Sequence, residues 1–99
     1  MTGYRFLLPA EEEMTEASLF YEAASAGLGE EFLDDVQRVI GILREHPELG
    51  QLIESELRLA PLRRFPFSLI YSFRMDEIII IAVAHQKRRP GYWKDRIGS

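Results

Sequence analysis

The stretch Arg63-Arg64-Phe65-Pro66-Phe67-Ser68-Leu69-Ile70-Tyr71-Ser72-Phe73-Arg74-Met75-Asp76-Glu77-Ile78-Ile79-Ile80-Ile81-Ala82-Val83-Ala84 decides the fold. Phe67, Leu69, Tyr71 and Phe73 alternate with Ser68, Ile70, Ser72 and Arg74, the period of a half-buried strand whose opposite face is more polar. Met75 and Asp76 make a tight turn. Glu77 to Ala84 then reads as a second strand, and its unbroken apolar run predicts cover on much of both faces.

Working upstream, Leu57 to Arg63 alternates in part but contains Pro61, which has no N–H for a ladder, so it is expected to be an edge or bulged strand. Glu48 to Glu56 holds turn residues without a period and reads as a loop. Two helices precede it. The first starts at Ala10 and carries Met14, Ala17, Tyr21 and Ala24 at three- and four-residue spacing, with Glu11, Glu12 and Glu13 in its first turn, where the helix dipole favours negative charge. Gly27 stops it, and Gly29 is expected to cap the second helix, whose stripe is Phe32, Val36, Val39, Ile40 and Leu43 and which ends before Pro47. So short a connection predicts an antiparallel hairpin. Tyr4 to Leu8, ending at Pro9, reads as a first strand. The order is β-α-α-β-β-β, an α+β layout with the helical hairpin packed on one face of a small, mostly antiparallel sheet.

Ninety-nine residues, 46% of them hydrophobic, suit one domain spanning 1–99. The longest apolar run, Ile78 to Ala84, is far short of the roughly 18 residues a membrane helix needs, and no leader pattern precedes Pro9. A cytoplasmic protein is expected. With no cysteine and only His46 and His85, neither a metal nor a cofactor is expected. The net charge of −4 hides a dipolar chain. Residues 1–57 hold thirteen acidic and three basic side chains, a net −10; residues 58–99 hold three acidic and nine basic ones, a net +6.

The positive charge is densest from His85 to Arg96, where Lys87, Arg88, Arg89, Lys94 and Arg96 accompany Tyr92 and Trp93. Such a cluster suits an acidic or flat partner. Pro90 and Gly91 supply a break that would aim the two aromatics. His85, Lys87, Arg88, Arg89, Tyr92, Trp93 and Arg96 are therefore the candidate target-binding residues. Trp93 has the alternative of anchoring the tail on the sheet, and the helical glutamates read as solvated faces. Arg63 and Arg64 have helical carboxylates as their simplest partners.

The acidic hairpin, the Arg63 to Tyr71 string, and Ala82-Val83-Ala84-His85 running into Arg88, Arg89, Pro90, Gly91, Tyr92, Trp93 and Arg96 together resemble the RelE/ParE superfamily of bacterial toxins, most closely its ParE-like branch. Gly27-Leu28-Gly29 followed by Phe32 and Leu33 fits as well, so the resemblance covers nearly the whole chain. It implies the toxin half of a type II toxin–antitoxin, or plasmid stabilisation, module, and a hetero-oligomer with a cognate antitoxin. RelE-like members cut mRNA on the ribosome, whereas ParE-like members bind DNA gyrase without cutting anything themselves.

Cutting RNA needs a base, clustered cations and an acid around one phosphate. At two positions where the resemblance places catalytic arginines of RelE-like enzymes, this chain has Ser68 and Gln86. The loop from Glu45 to Glu56 carries Glu45, Glu48, Glu54 and Glu56 and no lysine, a surface that repels a phosphate backbone. A nuclease would have to use Arg64, His85, Arg88 and Tyr92. Three readings follow: a gyrase inhibitor, a ribosome-dependent endoribonuclease, or a non-toxic antitoxin-binding relic.

Overall fold

A computed structural model describes residues 2–97. Its elements are β1 (Gly3–Phe6), α1 (Leu8–Ala24), α2 (Leu28–Glu45), β2 (Gln51–Glu54), β3 (Leu57–Pro61), β4 (Phe67–Arg74) and β5 (Glu77–His85), followed by a short 3-10 turn, Lys94–Ile97. The five strands form one sheet in the order β1-β5-β4-β3-β2. Only β1 and β5 pair in parallel; the other three pairings are antiparallel. The expected α+β architecture is thus present, with one strand more than the period-based reading supplies.

That strand is β2, inside the stretch expected to be a loop. Its four residues are mostly exposed, so it has no buried alternation to reveal it. Pairing with β3 creates it instead, in the register Gln51↔Leu59 and Leu52↔Arg58, with a bulge before Glu54. The approach to it is pinned by Tyr71, whose hydroxyl donates to the Pro47 carbonyl (2.8 Å) and accepts from the Gly50 N–H (2.9 Å). Because β2 covers it, β3 is an interior strand and not the expected edge. Pro61 is tolerated for a geometric reason. Leu62 N–H donates to Phe67 O (2.8 Å), so by alternation the Pro61 nitrogen faces the β2 side, where β2 has already ended opposite Leu59.

The helix starts also differ from expectation by a residue or two. β1 stops at Phe6 because Leu7 is the hinge: its N–H donates to Ile80 O (2.9 Å) and its carbonyl accepts from Ala10 and Glu11 (3.0 and 3.1 Å). Pro9 sits in the first turn of α1, where its missing N–H costs no helical bond. Gly27, at φ 86, is the N-cap of α2. Gly29 instead permits a close approach. A Cβ there would lie 2.4 Å from the Ser18 carbonyl oxygen, so glycine lets the two helices close on each other. Glu22 of α1 seals the corner by accepting from Gly27 N–H (3.1 and 2.9 Å) and Gly29 N–H (3.0 Å).

The hairpin covers one face of the sheet. Phe32, Val36, Val39, Ile40 and Leu43 of α2 and Ala10 and Ala17 of α1 meet Leu69, Tyr71, Ile78, Ile80 and Val83 in the main core. The opposite face is also buried, which the polar residues of β4 had not suggested. Ser68 and Ser72 are 5% and 8% exposed, and Ile70, Ile81, Ala82 and Ala84 form a second core beneath Trp93. A register shift in β5 explains its unbroken apolar run. Ile70 pairs with Ala82 but Tyr71 pairs with Ile80, so Ile81 is an extra residue, and Ile80 and Val83 end up on the same face.

Candidate functional site

β5 outruns its parallel neighbour. The last β1 pair is Phe6↔Ile80, whereas β5 continues to His85. A carboxylate takes the place of the missing strand: Val83 N–H donates to Glu13 Oε1 (3.0 Å). Glu13 can reach it because it lies between Ala10 and Ala17, both buried, on the sheet-facing stripe of α1.

The C-terminal segment closes on the same carboxylate. Two turns lead into it, with Arg88 N–H donating to His85 O (2.9 Å) and Gly91 at φ 80 reversing the chain. Tyr92 Oη then donates to Glu13 Oε2 (2.7 Å), and Arg96 donates through Nη1 to Oε1 (2.9 Å) and through Nη2 to Oε2 (2.8 Å). Arg96 Nη1 also reaches the Ile81 carbonyl (3.1 Å). One carboxylate therefore accepts four hydrogen bonds and ties together α1, β5 and the tail.

The electrostatics follow from this geometry. The side chains of Glu13 and Arg96 are only 17% and 18% exposed. Burial pushes the Glu13 carboxyl up, but the hydrogen bonds from Arg96, Tyr92 and Val83 outweigh it and hold the group below its ordinary range. The Tyr92 phenol is pushed well above its ordinary value, first by burial and then by its bond to Glu13. That same carboxylate raises Arg96. Tyr92 is flanked by two guanidinium groups, Arg88 at 3.9 Å and Arg96 at 5.1 Å from the ring centroid. Trp93 is 8% exposed and meets Tyr92 edge-on at 5.6 Å.

The seven candidate residues thus divide. Tyr92, Trp93 and Arg96 are packed or bonded within the chain. Lys87, Arg88 and Arg89 are exposed and, among the described residues, make no ion pair. Lys94 pairs with Glu54 at 3.4 Å. His85 is half-buried, its Nδ1 accepts Lys87 N–H (3.0 Å), and its ring meets Phe67 at 5.0 Å. His85 and Arg88 share a groove of about 430 Å3 with Phe20, Tyr21 and Phe67.

Arg64 belongs elsewhere. Its guanidinium pairs with Glu31 (2.8 Å), and the Arg63 and Arg64 N–H groups donate to the buried Asp35 (3.4 and 2.8 Å). Burial raises the Asp35 carboxyl, but these amides and Arg38 bring it below its ordinary value. A helical carboxylate is thus the partner of the Arg64 guanidinium, as expected, whereas Arg63 meets one only through its backbone N–H. Ser68 and Gln86 both line a smaller cavity under the tail. Glu13 and Glu22 correct the reading of the helical glutamates as solvated faces. For Glu13 a signal was present, a charged residue on the Ala10–Ala17–Tyr21 stripe, but three consecutive glutamates obscured it.

Among the described residues no group of three or more His, Asp or Glu side chains is arranged to hold a metal ion. No described helix is long and apolar enough to cross a membrane. Fold and site together define a small α+β domain, with a helical hairpin on one face and a basic tail latched under the other. Residues 4–90 match the family model described as ParE toxin of type II toxin-antitoxin system, parDE, and the chain belongs to that family. The fold is similar to that of a solved structure described as the chromosomal ParDE TA system from P. aeruginosa, with a TM-score of 0.62, 20% identity, and 86% of this chain and 96% of that chain covered. No match was found among curated proteins.

Proposed function

We propose that this chain is a toxin that blocks DNA gyrase by binding it, without chemistry of its own, and that a cognate antitoxin neutralises it in the bacterial cytoplasm. The observation that carries this reading is the Glu13 latch. Burial and Glu13 keep the Tyr92 phenol protonated, which disfavours it as the base of RNA cleavage and leaves it only the acid's part. Arg64, another member of the nuclease set, lies apart on Glu31. The exposed cations Lys87, Arg88 and Arg89 are available for contact with an acidic surface. For the antitoxin, the fitting feature is a groove of about 570 Å3 between α2 and the β2–β3 edge, walled by Ile42, Leu43, Leu49, Leu59 and Pro61. A partner segment docked there would form a hetero-oligomer.

Expression of the chain alone in bacteria separates the alternatives. Filamentation with a DNA damage response, and inhibition of supercoiling by purified protein, are the expected results. Cuts in ribosome-bound mRNA would promote Arg64, His85, Arg88 and Tyr92 to catalytic candidates. Normal growth would leave an antitoxin-binding relic. Coexpression with a short neighbouring reading frame tests the partner, and failure to coelute in size exclusion would refute it.

A further inference from the structure

Two loops leave the same end of the sheet. The β3–β4 connection and the turn after β5 are joined by Gln86, whose N–H donates to Pro66 O (2.8 Å). Arg63, Arg64, Lys87, Arg88 and Arg89 are therefore gathered at one end of the molecule, and all five are exposed. Arg64 is neutralised by Glu31 (2.8 Å), whereas the side chains of the other four make no ion pair among the described residues. The far end is opposite in sign. Its β2–β3 and β4–β5 turns are flanked by Glu54, Glu56, Asp76 and Glu77, and its arginines are paired, Arg74 with Glu56 (3.6 Å) and Arg5 with Glu77 (3.3 Å). A polyanion that approaches the molecule is thus turned toward the end that carries Arg63 and Arg89.

What this end lacks identifies its partner. A strong protein contact centres on an apolar anchor seated in a pocket. Neither loop exposes a large hydrophobic side chain: Phe65 is 8% exposed, and Phe20, which shares a groove with Arg88, belongs to α1 across the β5 edge. Single-stranded nucleic acid needs open aromatic faces on which its bases stack. Here Tyr92 has guanidinium groups over its ring, Arg88 at 3.9 Å and Arg96 at 5.1 Å, Trp93 is buried, and His85 lies edge-on against Phe67 at 5.0 Å. What remains is charge, mostly as guanidinium, the group that matches phosphate oxygens two at a time. We propose that this end of the sheet binds the phosphate backbone of duplex DNA without reading its sequence. Arg63, Lys87, Arg88 and Arg89 each neutralise one phosphate. The gyrase reading supplies only a setting in which a duplex is at hand; the binding itself needs the chain alone.

The purified full chain is titrated into a fluorescein-labelled duplex of about 20 base pairs and read by fluorescence anisotropy over a range of KCl. Four phosphate contacts predict a Kd on the order of 10⁻⁵ M at about 25 mM KCl and a roughly 150-fold loss by about 100 mM, from a slope of log K on log salt of about −3.6. Arg63→Gln and Arg89→Gln should each take about 0.9 off that slope with an unchanged melting curve, since Asp35 is held by the Arg63 backbone N–H and not by its side chain. Arg74→Gln removes one cation from the far end and should leave the slope as it was. No binding at about 25 mM KCl, a slope shallower than about −2, or an equal effect of Arg74→Gln overturns the proposal. So does tighter binding of a single-stranded RNA with the same number of phosphates, or equal binding of polyglutamate with the same number of charges, which would assign the surface to an acidic protein. A chain that inhibits supercoiling but ignores the duplex overturns this inference and leaves the gyrase reading in place; one that binds the duplex without inhibiting supercoiling does the reverse.

Discussion

Two parts of one basic segment behave in opposite ways. Lys87, Arg88 and Arg89 project from the turn after β5 without an ionic partner among the described residues, whereas Tyr92 and Arg96, a few residues on, are bound to Glu13. Side-chain exposure separates them more sharply than composition does. A run of cations in a sequence is therefore not yet a positive surface. In this one Arg96 is a structural tie whose charge is neutralised inside the molecule, Lys94 is paired at the surface, and Lys87, Arg88 and Arg89 are left without an ionic partner among the described residues.

The largest test of that division is Trp93→Ala. Removing a buried ring that covers Ile70, Ile81 and Ala82 should cost about 3–5 kcal/mol, read from urea unfolding. A loss under about 1 kcal/mol would mean that the tail is not anchored.

Glu13→Gln comes next, at about 2–4 kcal/mol, because it leaves the poorly exposed Arg96 without its counter-charge. A double-mutant cycle with Arg96→Met isolates the pair. The same variant changes the acid limb of stability. Glu13 and Asp35 have folded pKa values below their ordinary 4.5 and 3.8, so each stabilises fully above those values and less as pH falls through the folded ones. Stability should thus hold near neutrality and drop below about pH 5, and the drop should be shallower in Glu13→Gln. An identical acid limb in both proteins would remove Glu13 from the account.

The exposed half should show the reverse pattern. Charge reversal at Arg88 and Arg89 is expected to change stability by no more than about 0.5 kcal/mol while abolishing growth inhibition. A folded double variant as toxic as its parent would move the contact surface elsewhere. Lys94→Ala is the smallest case. Its pairing with Glu54 joins side chains 58% and 47% exposed, so the loss should be within about 0.5 kcal/mol and should shrink further in high salt.

Much of the fold was legible because its signals are local. The period of Phe67 to Arg74, the Met75-Asp76 turn and the α2 stripe each lie within a short window, and the structure places a strand, a turn and a helix there. Met75 and Asp76 both adopt positive φ, 52° and 61°, as a two-residue turn between twisted strands requires. β2 was not legible, because an exposed strand made by its neighbour leaves no period of its own. Nor was the interior position of β3, since a proline in a strand says only that one N–H is missing and not which side it faces.

The site divides along the same line. By itself the sequence determined that positive charge and aromatics would gather after β5, because composition fixes what a segment carries. Only the tertiary structure decided which of those charges remain at the surface. Glu13 and Arg96 lie 83 residues apart, and Glu13 and Val83 lie 70 apart. No local window contains such a pair; it forms where β1 stops short of β5 and a buried N–H requires an acceptor that only a helix at that height can supply.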